Sequence, residues 1–150
     1  MTTIHLSTGI NAPINHVFDL ARNIDIHTQS TAKSNETAIA GRTSGLINKG
    51  ETVTWRGKHF GIYLTHKSLI PEMDFPNYFI DEMIEGRFKK FKHTHTFSEK
   101  NGKTVMNDKI EYETPFGIFG EIFDHLLLKN HLTKFIQERN NFIKKTAENK

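Results

Sequence analysis

Apolar residues recur along this chain with two different periods, and the change from one to the other divides it into elements. Ile4 to Thr8 alternates apolar and polar positions, which predicts a short strand. Pro13 suits the first turn of a helix, where its missing N–H is not needed. Ile14, Val17, Phe18 and Ala21 follow at helical spacing, and Ile24 to Ser30 predicts a second short helix. From Glu36 to Glu113 the period becomes two. Strands are predicted at Glu36–Ala40, Glu51–Lys58, Gly61–Ile70, Tyr78–Ile84, Lys90–Ser98 and Thr104–Glu113. Asn101-Gly102 is a strong hairpin turn, and Pro71 and Pro76 are expected to bracket another. Gly41 to Gly50, with glycine at 41, 45 and 50, reads as a hinge or a pocket rim.

Helical spacing returns from Ile118 to Lys145. Phe119, Ile122, Phe123 and Leu126 form one stripe, expected to be chiefly core. Leu132, Phe135, Ile136, Arg139, Phe142 and Ile143 continue it after an offset near Lys129-Asn130, which predicts a kink. The short connections require an antiparallel meander. The last helix is the one element long enough to cover its apolar face. A twisted sheet of six to seven strands curls around such a helix and tends to leave a cavity. The fold class is therefore α+β, in one domain spanning 1–150.

The 150 residues suit one domain, and twelve Phe make an aromatic-rich core. The formal net charge is +3. Arg87-Phe88-Lys89-Lys90-Phe91-Lys92 interleaves basic and aromatic residues, but Lys90 and Lys92 are the wet face of a strand, so nucleic acid is not expected as a partner. The absence of Cys excludes disulfides, thiol catalysis and thiolate-bound zinc. Met1 to Thr8 lacks a signal-peptide pattern, and no apolar run spans a bilayer, so a cytoplasmic protein without a membrane span is expected. No phosphate-binding glycine loop, nucleophile elbow or paired-His zinc helix occurs, and no cofactor is expected.

Candidate chemistry lies on the inward face of the strands. Phe91, His93, His95 and Phe97 share one face of their strand; Met106, Asp108, Ile110 and Tyr112 share one face of the next. Phe79, Asp81 and Met83 face in if their strand keeps that phase, and Val53 and Trp55 face in on theirs. His59 and His66 are further inward candidates. Buried charges need partners. Asp81 and Asp108 could pair with His93 and His95 to stiffen the wall, or orient a ligand's polar group. They could also supply general acid/base catalysis, or ligate a metal, for which spacing alone is a weak signal. No metal is expected. The expected ligand contacts are these residues with Trp55, His59, Phe79, Phe91, Met106 and Tyr112, and Phe119 and Phe123 from the last helix.

The element order, Ala12-Pro13 with Val17-Phe18, and the segments Val53–Gly61, Phe79-Ile-Asp81-Glu-Met, Gly86-Arg-Phe88, Phe91–Phe97 and Tyr112–Gly117 resemble the START-related, polyketide cyclase-like superfamily, in a bacterial ligand-binding branch. The resemblance covers essentially the whole chain. It implies a helix-grip fold with a hydrophobic pocket between sheet and last helix. Members bind lipids, sterols, hormones or polyketides, and some catalyse cyclisation or dehydration; others act as regulators or chaperone cofactors. No catalytic signature is common to all. Aromatase-like members place an Arg with a Tyr or Trp in the pocket. Trp55 and Tyr112 suit that role, whereas Arg56 falls on the outward phase and Arg87 on a turn. The expected partner is a small hydrophobic ligand bound by a monomer or homodimer. The alternatives are a cyclase or dehydratase using a His/Asp pair, and a protein-interaction regulator.

Overall fold

The computed structural model describes residues 1–149. Seven strands form one antiparallel sheet in the order β1-β7-β6-β5-β4-β3-β2. They are β1 (Thr2–Ile10), β2 (Thr37–Gly41), β3 (Thr52–His59), β4 (Ile62–Asp74), β5 (Tyr78–Glu85), β6 (Lys90–Lys100) and β7 (Lys103–Glu113). β2 to β7 are a meander, and β1 returns to pair with β7. Helices α1 (Ile14–Ala21) and α2 (Ile24–Ser30) fill the connection after β1. Asn23 caps α2 by accepting from the backbone N–H groups of Asp25 and Ile26. The C-terminal helix runs from Gly117 to Glu148 as α3 (Gly117–Phe123), a π-helical turn (Asp124–Leu128) and α4 (Lys129–Glu148). This is a curved sheet gripping a long helix, with two short helices after the first strand.

Local chemistry explains the turns. Asn101 and Gly102 both take positive φ, as do Phe60 and Gly61 in the β3–β4 hairpin. Asparagine and glycine accept that conformation readily, and phenylalanine does not. Pro71 does not end a strand as expected. β4 continues through it to Asp74, because the register shifts between Leu69 and Glu72 release a bulge where proline's missing N–H costs no ladder bond. The turn itself is Phe75–Asn77, with a cis Phe75–Pro76 bond. The expected kink near Lys129-Asn130 is instead the π-helical turn just before it.

The concave face is filled unevenly. At one end α1 plugs it: Val17 and Phe18 are fully buried, and the Phe18 ring meets Phe75, Phe79 and Phe97 at centroid distances of 5.0, 5.3 and 5.0 Å. Met106, Ile143 and Ala147 complete this core. At the other end, among the described residues, only the helix stands over the sheet, and a smaller cluster of Ile4, Ile110, Tyr112, Leu128 and Ile136 holds it there. Space therefore remains at that end. Phe18→Ala should cost about 3–5 kcal/mol in urea unfolding, since no neighbour can collapse into the gap between three aromatic rings.

Candidate functional site

A cavity of about 960 Å³ lies between β3–β7 and the C-terminal helix. Its wall is mostly apolar, with Leu64, Phe88, Phe91, Ile110, Leu132 and Phe135 among the lining residues. Trp55, His59, Asp81, His93, Phe119 and Phe123 also line it. Phe79 and Met106 face inward as the alternation requires, but they belong to the core that α1 plugs. Period two assigns a residue to a face and says nothing about its position along the trough. Tyr112 is buried behind the cavity, its ring beside Phe88 and Phe91 and its hydroxyl donating to Asp124. Burial, with the neighbouring Asp124 carboxylate, raises the Tyr112 pKa and keeps it a neutral donor.

Asp108 and His95 lie one layer beneath the wall. Asp108 Oδ1 is 2.6 Å from His93 Nε2, and Oδ2 accepts from Asn140 Nδ2 at 2.7 Å. Arg139 stands 3.7 Å away; it donates to Asn140 Oδ1 at 2.9 Å and to the Ala21 carbonyl at 3.0 Å. Burial opposes ionisation of Asp108, but the His93 hydrogen bond and the Arg139 charge outweigh it and hold the carboxyl well below its usual range. His93 is pushed down to about 4 by burial first and by His95 second, so it is neutral at pH 7. An ionised Asp108 can only accept, so His93 Nε2 carries the proton and Nδ1 the lone pair.

His95 is stacked between Phe79, at 4.2 Å, and His93, at 3.7 Å. Both its nitrogens are buried without a hydrogen bond among the described residues. Nε2 is 3.6 Å from Asp81 Oδ2 and Nδ1 is 3.3 Å from Asp108 Oδ1, so the two carboxylates act on the ring only through space. Asp81 accepts from Ser68 Oγ at 3.2 Å and turns toward the cavity. Asp81, His93 and His95 bring potential metal-ligand atoms within 4.8 Å of one another. However, the two rings lie nearly parallel, 23° apart, so their in-plane lone pairs do not converge on one point. The donor set fits a stacked pair and not a chelate.

A second polar cluster was not expected from the alternation. Glu36, just before β2, reaches into the cavity wall between His27 and His59, at 3.4 Å from each Nε2. His59 Nδ1 is 2.9 Å from His131 Nε2 on α4, and His27 lies over Trp55 with centroids 4.1 Å apart. Burial opposes Glu36 ionisation, but the two imidazoles more than compensate and hold it at about 2. A fixed acceptor orders the chain: Glu36 accepts from His59 Nε2, and His59 Nδ1 accepts from His131 Nε2. Gly57 makes the space, since a Cβ there would sit 1.8 Å from Glu36 Oε2. A glycine inside a predicted strand was the available signal.

The cavity rim also differs from expectation. Gly41–Gly50 contributes no lining residue. It is pinned beneath α2 by hydrogen bonds from Ile24 N to Gly45 O and from Gly45 N to Asp25 Oδ2, with Ile47 buried. The rim is formed instead by Phe60, by Gly86–Phe88 and by Thr114–Phe116. Arg87 lines the cavity despite lying on a turn, while Arg56 points outward over the Tyr63 ring.

Solved structures resemble this chain over nearly its full length. The Zhui aromatase/cyclase from Streptomyces sp. R1128 superposes with a TM-score of 0.78 at 11% identity, over 98% of this chain and 93% of that one. Ginseng major latex-like protein 151 from Panax ginseng gives 0.72 at 15% identity, over 98% and 97%. A protein of Thermus thermophilus gives 0.73 at 16% identity, over 98% and 100%. The fold is the helix grip shared by these structures, as the resemblance noted in the sequence implied. No family model matches the chain, and no curated protein matches it in sequence. At these identities the likeness concerns the helix grip; the polar clusters are argued from this chain alone.

The site makes two predictions about stability. Asp108→Ala should cost about 3–5 kcal/mol in denaturant unfolding, because Arg139 stays buried without its counter-charge. Acid should also weaken the fold. Between 6.5, the ordinary His value, and about 4, the unfolded chain takes the proton that folded His93 refuses. Stability therefore falls as pH drops through that window. Below 4.5 Glu36 adds a second loss, its folded value being about 2. Urea midpoints should decline steadily from about pH 7 to pH 4, and His93→Gln should flatten the upper part of the decline.

Proposed function

We propose that this protein binds a small, mostly apolar molecule carrying one or two polar groups, held in the cavity between sheet and helix. The observation that carries this reading is the cavity: about 960 Å³ of mostly apolar space into which two separate polar clusters project. Sites for small molecules are commonly roughly 300–1,000 Å³, apolar, with few convergent polar groups. Aromatic walls supply affinity, while Asp81 with His93, and Glu36 with His27 and His59, orient the ligand's polar groups. The aromatase/cyclase name of one structural neighbour agrees with a hydrophobic ligand.

A second reading, acid/base catalysis of the cyclase or dehydratase kind, is favoured by two couples that end in the cavity wall. One is Asp108–His93 and the other is Glu36–His59–His131. In the first, the far nitrogen of the imidazole holds a free lone pair, the arrangement of a general base. In the second, the lone pair of His59 Nδ1 accepts from His131 Nε2, so the free lone pair lies at the end of the chain, on His131 Nδ1.

Native mass spectrometry of protein purified from cells should reveal a co-purifying lipophilic molecule. Leu132→Trp, which fills the cavity, should release it without changing the far-UV circular dichroism. A protein that carries no such molecule, and whose affinity for anilinonaphthalene sulfonate is the same in wild type and Leu132→Trp, would overturn the binding reading. Turnover of the bound molecule that His59→Gln abolishes while binding persists would establish the catalytic one.

A further inference from the structure

The first half of the C-terminal helix is inside out. Its buried positions are Gly120, Asp124 and Leu128, four residues apart. Gly120 is required there because a Cβ would meet the Pro115 carbonyl at 1.9 Å. Asp124 is taken up by hydrogen bonds from Thr2 and Tyr112. The large apolar side chains face out instead: Phe119 is 77% exposed, Ile118 66%, Leu126 64% and Ile122 50%. Part of the stripe expected in the core thus points away from the protein.

This face joins the cavity rim. Phe60 packs on Phe123 and His131, at 5.3 and 4.5 Å, and Ile62, 61% exposed, follows it in the hairpin. Phe116, 82% exposed, closes the patch at the other side of the opening. Phe60 and Phe116 both hold positive φ, at 52° and 68°. Left-handed backbone is unfavourable for phenylalanine, so each projects an aromatic ring outward at a cost in stability.

Charge indicates what covers the patch. Arg56 and Lys58 reach over the Tyr63 ring at 4.1 and 6.0 Å, on the face of the β3–β4 hairpin opposite Ile62, and so flank the hairpin from behind and not the patch itself. Arg87 lies on the rim, and Lys129 sits one turn beyond Leu126 on the same stripe. Glu121 is the one exposed acid of the Gly117–Leu128 stretch, all of which is described. An outward apolar helix face bordered by basic side chains matches an anionic lipid surface, with chains below and phosphate or carboxylate headgroups at the border. A second copy of this chain would bring like charges together. It would also cover the opening through which a ligand enters.

We infer that the face formed by Ile118, Phe119, Ile122 and Leu126 with Phe60 and Ile62 docks on an anionic membrane surface, opening the cavity toward the lipid. The inference is independent of ligand identity and concerns the face around the cavity opening, where Phe60, Ile62 and Phe119 also line the cavity while Ile118, Ile122 and Leu126 lie outside it.

Co-sedimentation with vesicles tests it. One preparation is phosphatidylcholine containing about one-third phosphatidylserine, and the other is phosphatidylcholine alone. Wild type should bind the anionic vesicles more tightly, and added salt should weaken that binding. Ile118→Glu with Leu126→Glu should reduce it by about tenfold or more. Neither residue lines the cavity, so anilinonaphthalene sulfonate should bind the variant as it binds wild type, which separates this result from failure of the cavity reading. Absence of vesicle binding, or binding unaffected by the double substitution, would overturn the inference. So would a stable dimer in light scattering that the same substitutions dissolve, which would make the face a self-interface.

Discussion

Asp108 is the group on which the arrangement depends. It is a buried carboxylate in the middle of β7, and water cannot solvate it there. It must be satisfied by the protein, and the groups that do so come from different elements: His93 from β6, and Asn140 and Arg139 from α4. Arg139 also reaches the end of α1 through the Ala21 carbonyl. A single desolvated charge thus sets the position of the long helix over the sheet, together with the end of the helix that plugs the core. Apolar packing would tolerate sliding by part of a turn. A bidentate set of partners around a buried carboxylate does not.

With the helix held there, the trough divides into a packed end and an open end. α1 supplies Phe18 to the first. Among the described residues nothing equivalent enters the second, and the cavity is the volume left over. His93 belongs to both parts of the structure: its Nε2 is occupied by the Asp108 network, while the residue itself lines the cavity. The wall beside it is therefore stiff, because the imidazole cannot turn without stranding a buried carboxylate. At the other polar cluster the same logic acts through Gly57, whose missing side chain admits Glu36.

The outward face of the C-terminal helix follows from the same geometry. Thr114 and Pro115 crowd the helix where it leaves β7, and only Gly120 fits against them. The helix must turn that small residue inward. Its aromatic positions, which lie on the other side, then face out beside the cavity opening. The π-helical turn at Asp124–Leu128 separates this stretch from the stretch beyond, where Ile136, Arg139 and Ile143 face the sheet.

Several features were legible in the residues themselves. Alternation marked the strands, and the inward set Met106, Asp108, Ile110 and Tyr112 is buried as a whole. Asn101-Gly102 marked its hairpin, and Ile24–Ser30 is a helix as predicted. Arg139 already stood on the apolar stripe of the last helix, a charge with no evident reason to be there until Asp108 is placed beside it. These are local properties: a side chain's face depends on backbone period, and a turn depends on which residues accept positive φ. Tertiary structure alone decided the rest. Phe79 and Phe91 share the inward face yet differ in fate, one in the plugged core and one on the cavity, because α1 reaches only part of the trough. His27 and Glu36, nine residues apart, meet His59 and His131 from distant segments only when the sheet curls. The direction of Phe119 and Ile122 rests on a glycine's fit against a carbonyl from the preceding turn. Helical periodicity shows that an apolar face exists; what stands opposite it is settled only by where the rest of the chain lies.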